Sequence, residues 1–138
     1  MSDHFDHVGL TVADLETATA WYAAAFELTE EFAFAFAEFD FRGVMLRSPV
    51  GYRIELLERA GSQPGLQADH PIAAALTRGY SHFALRVADV DATYDRLLAA
   101  GATDRLSPRP SPQPGSRMAF VADPEGNLIE LLTRPVPE

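Results

Sequence analysis

The chain has 138 residues, enough for one domain that buries most of its core without covalent staples, and its complete lack of cysteine excludes disulfides, thiolate metal sites and cysteine nucleophiles. A net charge of −9 argues against a nucleic acid or an anionic membrane as partner, since both need a basic footprint. The start, Met1-Ser2-Asp3-His4, is neither basic nor apolar, and no window approaches the roughly 18 apolar residues of a membrane span, so the expectation is a cytoplasmic protein with a small-molecule substrate.

In chain order, Phe5 to Val12 alternates, with Val8, Leu10 and Val12 on one face and His7 on the other, which predicts a strand. Asp14 is a good N-cap, and an Ala-rich run through Trp21, Tyr22 and Phe26 predicts a helix packed on the aliphatic face. From Glu30 the period returns to two. Phe32, Phe34 and Phe36 fall in one phase and Phe39 and Phe41 in the other, giving two strands joined near Glu38 whose phenylalanines are expected in the sheet core or, in part, along an apolar substrate pocket. The turn Pro49-Val50-Gly51 leads into a strand in which Arg53, Glu55 and Leu57 share a face.

Residues 60–79 read as a connector with a short helix, for which Asp69 is a possible cap, Pro71 sits in the first turn and Gly79 is the stop; His70 here and His4 are expected to be solvated. The order then repeats. Tyr80 to Val87 is a strand with His82 facing away from the coming helix, Asp89 caps a helix ending at Gly101, and Ser107 to Pro114 is too rich in proline for a central strand, so it is an edge or a loop and a candidate lid. Arg117 to Ala122 and Asn127 to Thr133 complete the second copy. The expected fold class is α+β, a single domain over 1–138 with module one at 1–59 and module two at 80–138, each strand, helix, strand, strand, strand.

An offset of 75 residues lays His7 on His82, Val12-Ala13-Asp14 on Val87-Ala88-Asp89, Arg42 on Arg117, and Pro49, Gly51, Ile54 and Glu55 on Pro124, Gly126, Ile129 and Glu130. Glu130 is the most telling residue. It stands between Ile129 and Leu131 in a run that reads as a buried strand, and a carboxylate there needs a compensating partner. A duplicated chain with one such Glu and one His per copy has the pattern of a two-fold metal site, with His7, Glu55, His82 and Glu130 as ligands. All four donors are nitrogen or oxygen, which suits one divalent ion of Zn, Ni, Fe, Mn or Co; the plain alternative is a hydrogen-bonded cluster.

His7-Val8-Gly9-Leu10 followed by Asp14-Leu15, Ser81-His82-Phe83 followed by Asp89-Val90, and the run Asp123-Pro124-Glu125-Gly126-Asn127-Leu128-Ile129-Glu130-Leu131 resemble the vicinal oxygen chelate superfamily of glyoxalases, bleomycin resistance proteins and dioxygenases. The resemblance implies two tandem βαβββ modules in a cupped eight-stranded mixed sheet with helices on the outer face, and a metal that chelates neighbouring substrate oxygens. A glutamate at Glu55 is most like glyoxalase I. That likeness implies a metal-dependent lyase or isomerase acting on a small oxygenated substrate through a metal-bound enediolate, with Glu130 as general base and Glu55 returning the proton.

Charge agrees with this expectation. Two carboxylates and a divalent ion sum to zero, and the site becomes net positive only when one glutamate takes a proton as the enediolate forms. The alternatives are an extradiol-type ferrous dioxygenase and a metal-free binding protein of the bleomycin-resistance kind. Arg42, Arg53, Arg86 and Arg117 are candidate contacts for a substrate carboxylate or phosphate. The modules are expected to pair within one chain or across a homodimer.

Overall fold

The computed structural model describes residues 3–136; Met1, Ser2, Pro137 and Glu138 lie outside the described residues. The chain divides into two compact units, Met1–Gln63 and Pro64–Glu138. Among the described residues no helix is long and apolar enough to cross a membrane.

The first unit runs β1 (His7–Thr11), α1 (Leu15–Phe26), β2 (Thr29–Phe36), a 3-10 turn (Ala37–Phe39), β3 (Phe41–Arg47) and β4 (Arg53–Arg59). Its sheet has the order β1-β4-β3-β2, with β1 parallel to β4 and the other neighbours antiparallel. Asp14 caps α1 by accepting from the Thr17 amide at 3.0 Å. The buried Tyr22 and Ala25 of α1 lie with Val44, Leu46, Ile54 and Leu56 in the core of this unit. Strand alternation then sends His7, Gly9, Glu55, Arg53 and Met45 to the face away from the helix.

The second unit holds α2 (Pro71–Ala74), β5 (His82–Arg86), α3 (Val90–Ala99), β6 (Thr103–Pro110), β7 (Arg117–Ala122) and β8 (Leu128–Leu132). The order β5-β8-β7-β6, again with one parallel pair, reproduces the first sheet. Asp89 caps α3 through the Ala92 amide at 3.0 Å, and a core of Val90, Leu97, Ala119, Val121, Ile129 and Leu131 fills the helix side. The α+β class and the tandem βαβββ plan are therefore those expected, with the strands hydrogen-bonded as two four-stranded mixed sheets.

Several local expectations are corrected. The phenylalanines are not sheet core: Phe32, Phe36 and Phe39 are 49, 48 and 55 % exposed. The β2–β3 register pairs Phe32 with Met45, Phe34 with Gly43 and Phe36 with Phe41, so these rings stand on the face of Glu55, opposite the helix. The cap of α2 is His70, whose Nδ1 accepts from the Ile72 amide at 3.1 Å, rather than Asp69, and the helix stops at Ala74, before Gly79. His70 is thus half-buried with a structural duty, whereas His4 is exposed. Residues 107–110 belong to β6, which lies at the sheet edge as the prolines require, so the loop expectation holds only beyond Pro110.

The second unit also shows why its central turn takes this sequence. Asp123 is buried and accepts from the amides of Glu125 and Asn127 and from the Asn127 side chain, closing the turn that launches β8. Gly126 adopts φ +93°, and a Cβ there would lie 2.4 Å from Gln67 of the connector, so glycine is needed twice over.

Candidate metal centre

In the first unit, β1 and β4 run in parallel with Gly9 opposite Glu55. Glycine leaves the space beside the strand open, and a Cβ at that position would touch Glu55 Oε1 at 3.4 Å. The Glu55 carboxylate therefore reaches across Gly9 toward the ring two residues earlier, and His7 Nε2 lies 3.5 Å from Glu55 Oε1. In the second unit, Ala84 stands opposite Glu130, and His82 Nε2 meets Glu130 Oε1 at 3.1 Å. Both glutamates are half-buried, 22 and 20 % exposed, rather than sealed in the core. Their strand neighbours Ile54, Leu56, Ile129 and Leu131 are fully buried on the other face, which holds each carboxylate in register.

Each histidine is also held from behind. His7 Nδ1 lies 2.7 Å from Asp6 Oδ2, and His82 Nδ1 lies 2.9 Å from Ser81 Oγ. The hydrogen bond with His7, with help from the charge of Arg53, keeps the Asp6 carboxyl below its ordinary value. Sequence reasoning missed both contacts, although Asp6 and Ser81 stand at equivalent places in the repeat. Met45 and Phe120, another equivalent pair, flank Glu55 and Glu130 across the strands, and Phe120 sits edge-on to the His82 ring at 4.8 Å.

The four arginines divide two and two. Arg42 lies on the helix-covered face and binds Glu16 at 2.6 Å and Glu58 at 2.8 Å, while Glu58 also accepts from the Leu15 amide that opens α1. Arg117 repeats the device with Asp91 at 2.8 Å. These pairs clasp each helix start to its sheet, so the repeat at Arg42 and Arg117 is structural. Open clefts of about 710 and 390 Å³ lie beside them, also away from the histidine–glutamate faces. Arg53 shares the face of Glu55 but is tied to Glu31 at 2.9 Å and Asp6 at 3.6 Å. Arg86 shares the face of His82 and, among the described residues, makes no ion pair.

Within a unit the ligand-capable set is a pair, and among the described residues no group of three or more His, Cys, Asp or Glu gathers as a metal cluster. The donor chemistry of each pair nonetheless fits a divalent ion. An imidazole Nε2 and a carboxylate oxygen face each other on a half-exposed strand surface, with the other ring nitrogen held by a neighbour, the arrangement that orients a metal-binding histidine.

Two four-stranded mixed sheets built from a repeated strand-helix-strand-strand-strand unit define the fold class, and comparison with known proteins gives the family. Residues 4–131 match the model of the glyoxalase/bleomycin resistance protein/dioxygenase superfamily, and the chain belongs to that family. It is 39 % identical over 61 residues to a lactoylglutathione lyase of Arabidopsis thaliana, a stretch that is 44 % of this chain and 22 % of that protein, so the match spans under a quarter of the relative. Among solved structures, glyoxalase I of Zea mays is similar with a TM-score of 0.73 and 20 % identity, covering 94 % of this chain and 44 % of that one. The fosfomycin resistance protein FosX of Listeria monocytogenes, in complex with Mn(II) and sulfate, gives 0.67 and 22 % over 99 % of this chain and 96 % of that one. At these identities the structures show the shared fold.

Proposed function

We propose that the protein is a divalent-metal-dependent lyase or isomerase of glyoxalase type, moving a proton on carbon next to a carbonyl in a small oxygenated substrate. The observation that carries this reading is the recurrence of one His Nε2–Glu apposition at equivalent positions in both units, on the face that the core does not use. A metal centre made from both pairs would take His7, Glu55, His82 and Glu130 as ligands, with the halves paired within one chain or across a homodimer. The kinship with a lactoylglutathione lyase and with glyoxalase I supports the reaction class, and the Mn(II)-bound relative supports a metal of this kind.

The ion, from the set Zn, Ni, Fe, Mn or Co, would supply Lewis-acid polarisation of the substrate oxygens. The chain's own residues do the rest. Glu130 takes the proton from carbon and is left as a carboxylic acid. The proton goes back to carbon from Glu130 itself or, after exchange to the Glu55 carboxylate, from Glu55, so both groups end as carboxylates. Protonation of a carboxylate makes its surroundings more positive by one unit as the substrate becomes an enediolate anion. Arg86, which makes no ion pair among the described residues, is the side chain suited to an anionic substituent. Phe32, Phe34, Phe36 and Phe41, in ring contact with one another on the face of Glu55, with Phe36 stacked on Phe41 and the other pairs tilted or edge-on, offer a wall for an apolar substituent.

One observation favours a second reading. His82 and Glu130 satisfy one another at 3.1 Å without an ion, as they would in a metal-free binding protein. Elemental analysis after metal loading, followed by deuterium exchange into hydroxy-ketone and thioester probes, separates the two. Stoichiometric metal with metal-dependent exchange at carbon, lost in Glu130→Gln, is the expected result. Bound metal without exchange overturns the proton-transfer proposal, and oxygen uptake with ferrous ion assigns a dioxygenase instead. No stoichiometric metal, with ligand affinity unchanged in Glu55→Gln, leaves the binding protein.

A further inference from the structure

We propose that Asp6 is a positioning residue that fixes the tautomer of His7, so that the first unit is preset to receive a cation while the second is not. The inference rests on the metal reading above. A carboxylate only accepts hydrogen bonds, so the 2.7 Å contact between Asp6 Oδ2 and His7 Nδ1 requires the proton on Nδ1. The neutral ring then has a bare lone pair at Nε2, and that lone pair faces Glu55 Oε1, also an acceptor, at 3.5 Å. The separation exceeds the usual 2.7–3.2 Å of a hydrogen bond. Two acceptors aimed at one another repel, and a cation between them removes the conflict.

The second unit is built differently. Ser81 Oγ can donate to Nδ1 as well as accept from it, so His82 is free to carry its proton on Nε2 and give it to Glu130 at 3.1 Å. That pair rests as a hydrogen bond and must shed or relocate a proton before His82 can bind a metal. The backing also differs one step further out. Asp6 is itself held by Arg53 at 3.6 Å, and Arg53 by Glu31 at 2.9 Å, whereas the repeat places Ser81, Leu128 and Leu106 at these three positions. Among the described residues the charged groups in contact with His7 are Asp6 and Glu55, and Arg53, which also holds Glu31, offsets part of the acidic excess through Asp6. Such outer contacts typically change metal affinity by about 10–100-fold when removed.

The test reads the ring directly. Long-range ¹H–¹⁵N correlation on the metal-free full chain, above the range in which imidazole titrates, should show His7 as the Nδ1–H tautomer and His82 with a substantial Nε2–H population. Asp6→Asn, whose amide can donate to Nδ1, should move His7 toward Nε2–H, and Asp6→Ala should leave a mixture. In a Co(II) titration against a competing chelator, both variants should bind about 10–100-fold more weakly, with altered visible bands. Unchanged thermal unfolding of the metal-free variants shows that folding is not the cause. An Nε2–H tautomer for His7 in the parent, or an Asp6→Asn variant with parental tautomer and affinity, overturns the proposal. If the parent takes up no cobalt, the metal reading falls by itself, and the tautomer measurement still decides the role of Asp6.

Discussion

Replacing Glu130 by leucine should stabilise the metal-free protein and remove its response to metal. The Glu130 side chain is 20 % exposed, between neighbours at 0 %, and among the described residues its one hydrogen-bonding partner is His82 at 3.1 Å. Fully burying a leucine contributes about 1.5–3 kcal/mol, and four-fifths of that is roughly 1–2.5. Losing the bond to His82 costs about 0.5–1.5 kcal/mol, and the half-exposed imidazole can turn to water instead. The balance is a gain of about 0.5–1 kcal/mol, a rise of roughly 2–4 °C in Tm at this chain length. With a divalent ion at a hundred times its Kd, the parent should gain about 2.7 kcal/mol and the variant almost nothing, so the order of stability reverses on metal addition. Thermal and urea unfolding with and without metal measure both effects. A variant destabilised by about 1 kcal/mol or more without metal would show that the pair is a structural hydrogen bond, and the argument for a functional carboxylate would fail.

Other positions give independent checks. Glu27 ends α1 in the left-handed region at φ 54°, so Glu27→Gly should stabilise by about 1 kcal/mol in urea unfolding, and a loss would refute the strain. The arginine clasps make an acid prediction: hydrogen bonds from Arg42 hold Glu58 and Glu16 below their ordinary values, and those from Arg117 do the same for Asp91. Carboxyls depressed in this way add stability above their unfolded values and lose it as pH falls, so Arg42→Met should flatten the decline in stability between about pH 5 and 3. A Cβ at Gly43 would lie 2.4 Å from Phe34 Cζ, so Gly43→Ala should displace that ring, weaken the near-UV aromatic signal and cost about 1–3 kcal/mol; an unchanged spectrum would count against the packed phenylalanine wall.

How much the sequence discloses depends on whether a feature is local. Caps at Asp14 and Asp89, the turn around Asp123, and the period of each strand are set by neighbours in the chain, and they are found where the residue types place them. The phenylalanines were misplaced because period two says which residues share a face and not which face the helix covers. Only the register of Phe34 against Gly43, and of Met45 against Glu55, puts them beside the carboxylate. Likewise, no local signal says that His70 rather than Asp69 caps α2; an imidazole Nδ1 accepts as well as a carboxylate does once the backbone places it there.

The repeat offset lays His7 on His82 and Glu55 on Glu130, and each unit sets a His Nε2 beside a Glu Oε1; by the same logic it singled out Arg42 and Arg117, which are ion-pair clasps. Duplication preserves whatever each copy needs to fold as well as whatever the two copies do together, so recurrence alone cannot tell structure from chemistry. Partner satisfaction can. Arg42 finds Glu16 and Glu58, and Arg117 finds Asp91, each pair closing on itself across helix and sheet. Among the described residues Glu55 finds only an imidazole nitrogen too far away for a good hydrogen bond, on a face where leucine would pack as well. A half-buried acid that the fold leaves under-satisfied, at the same place where its repeat partner touches a histidine, is a second observation that supports the proposed assignment beside the recurrence of the pair.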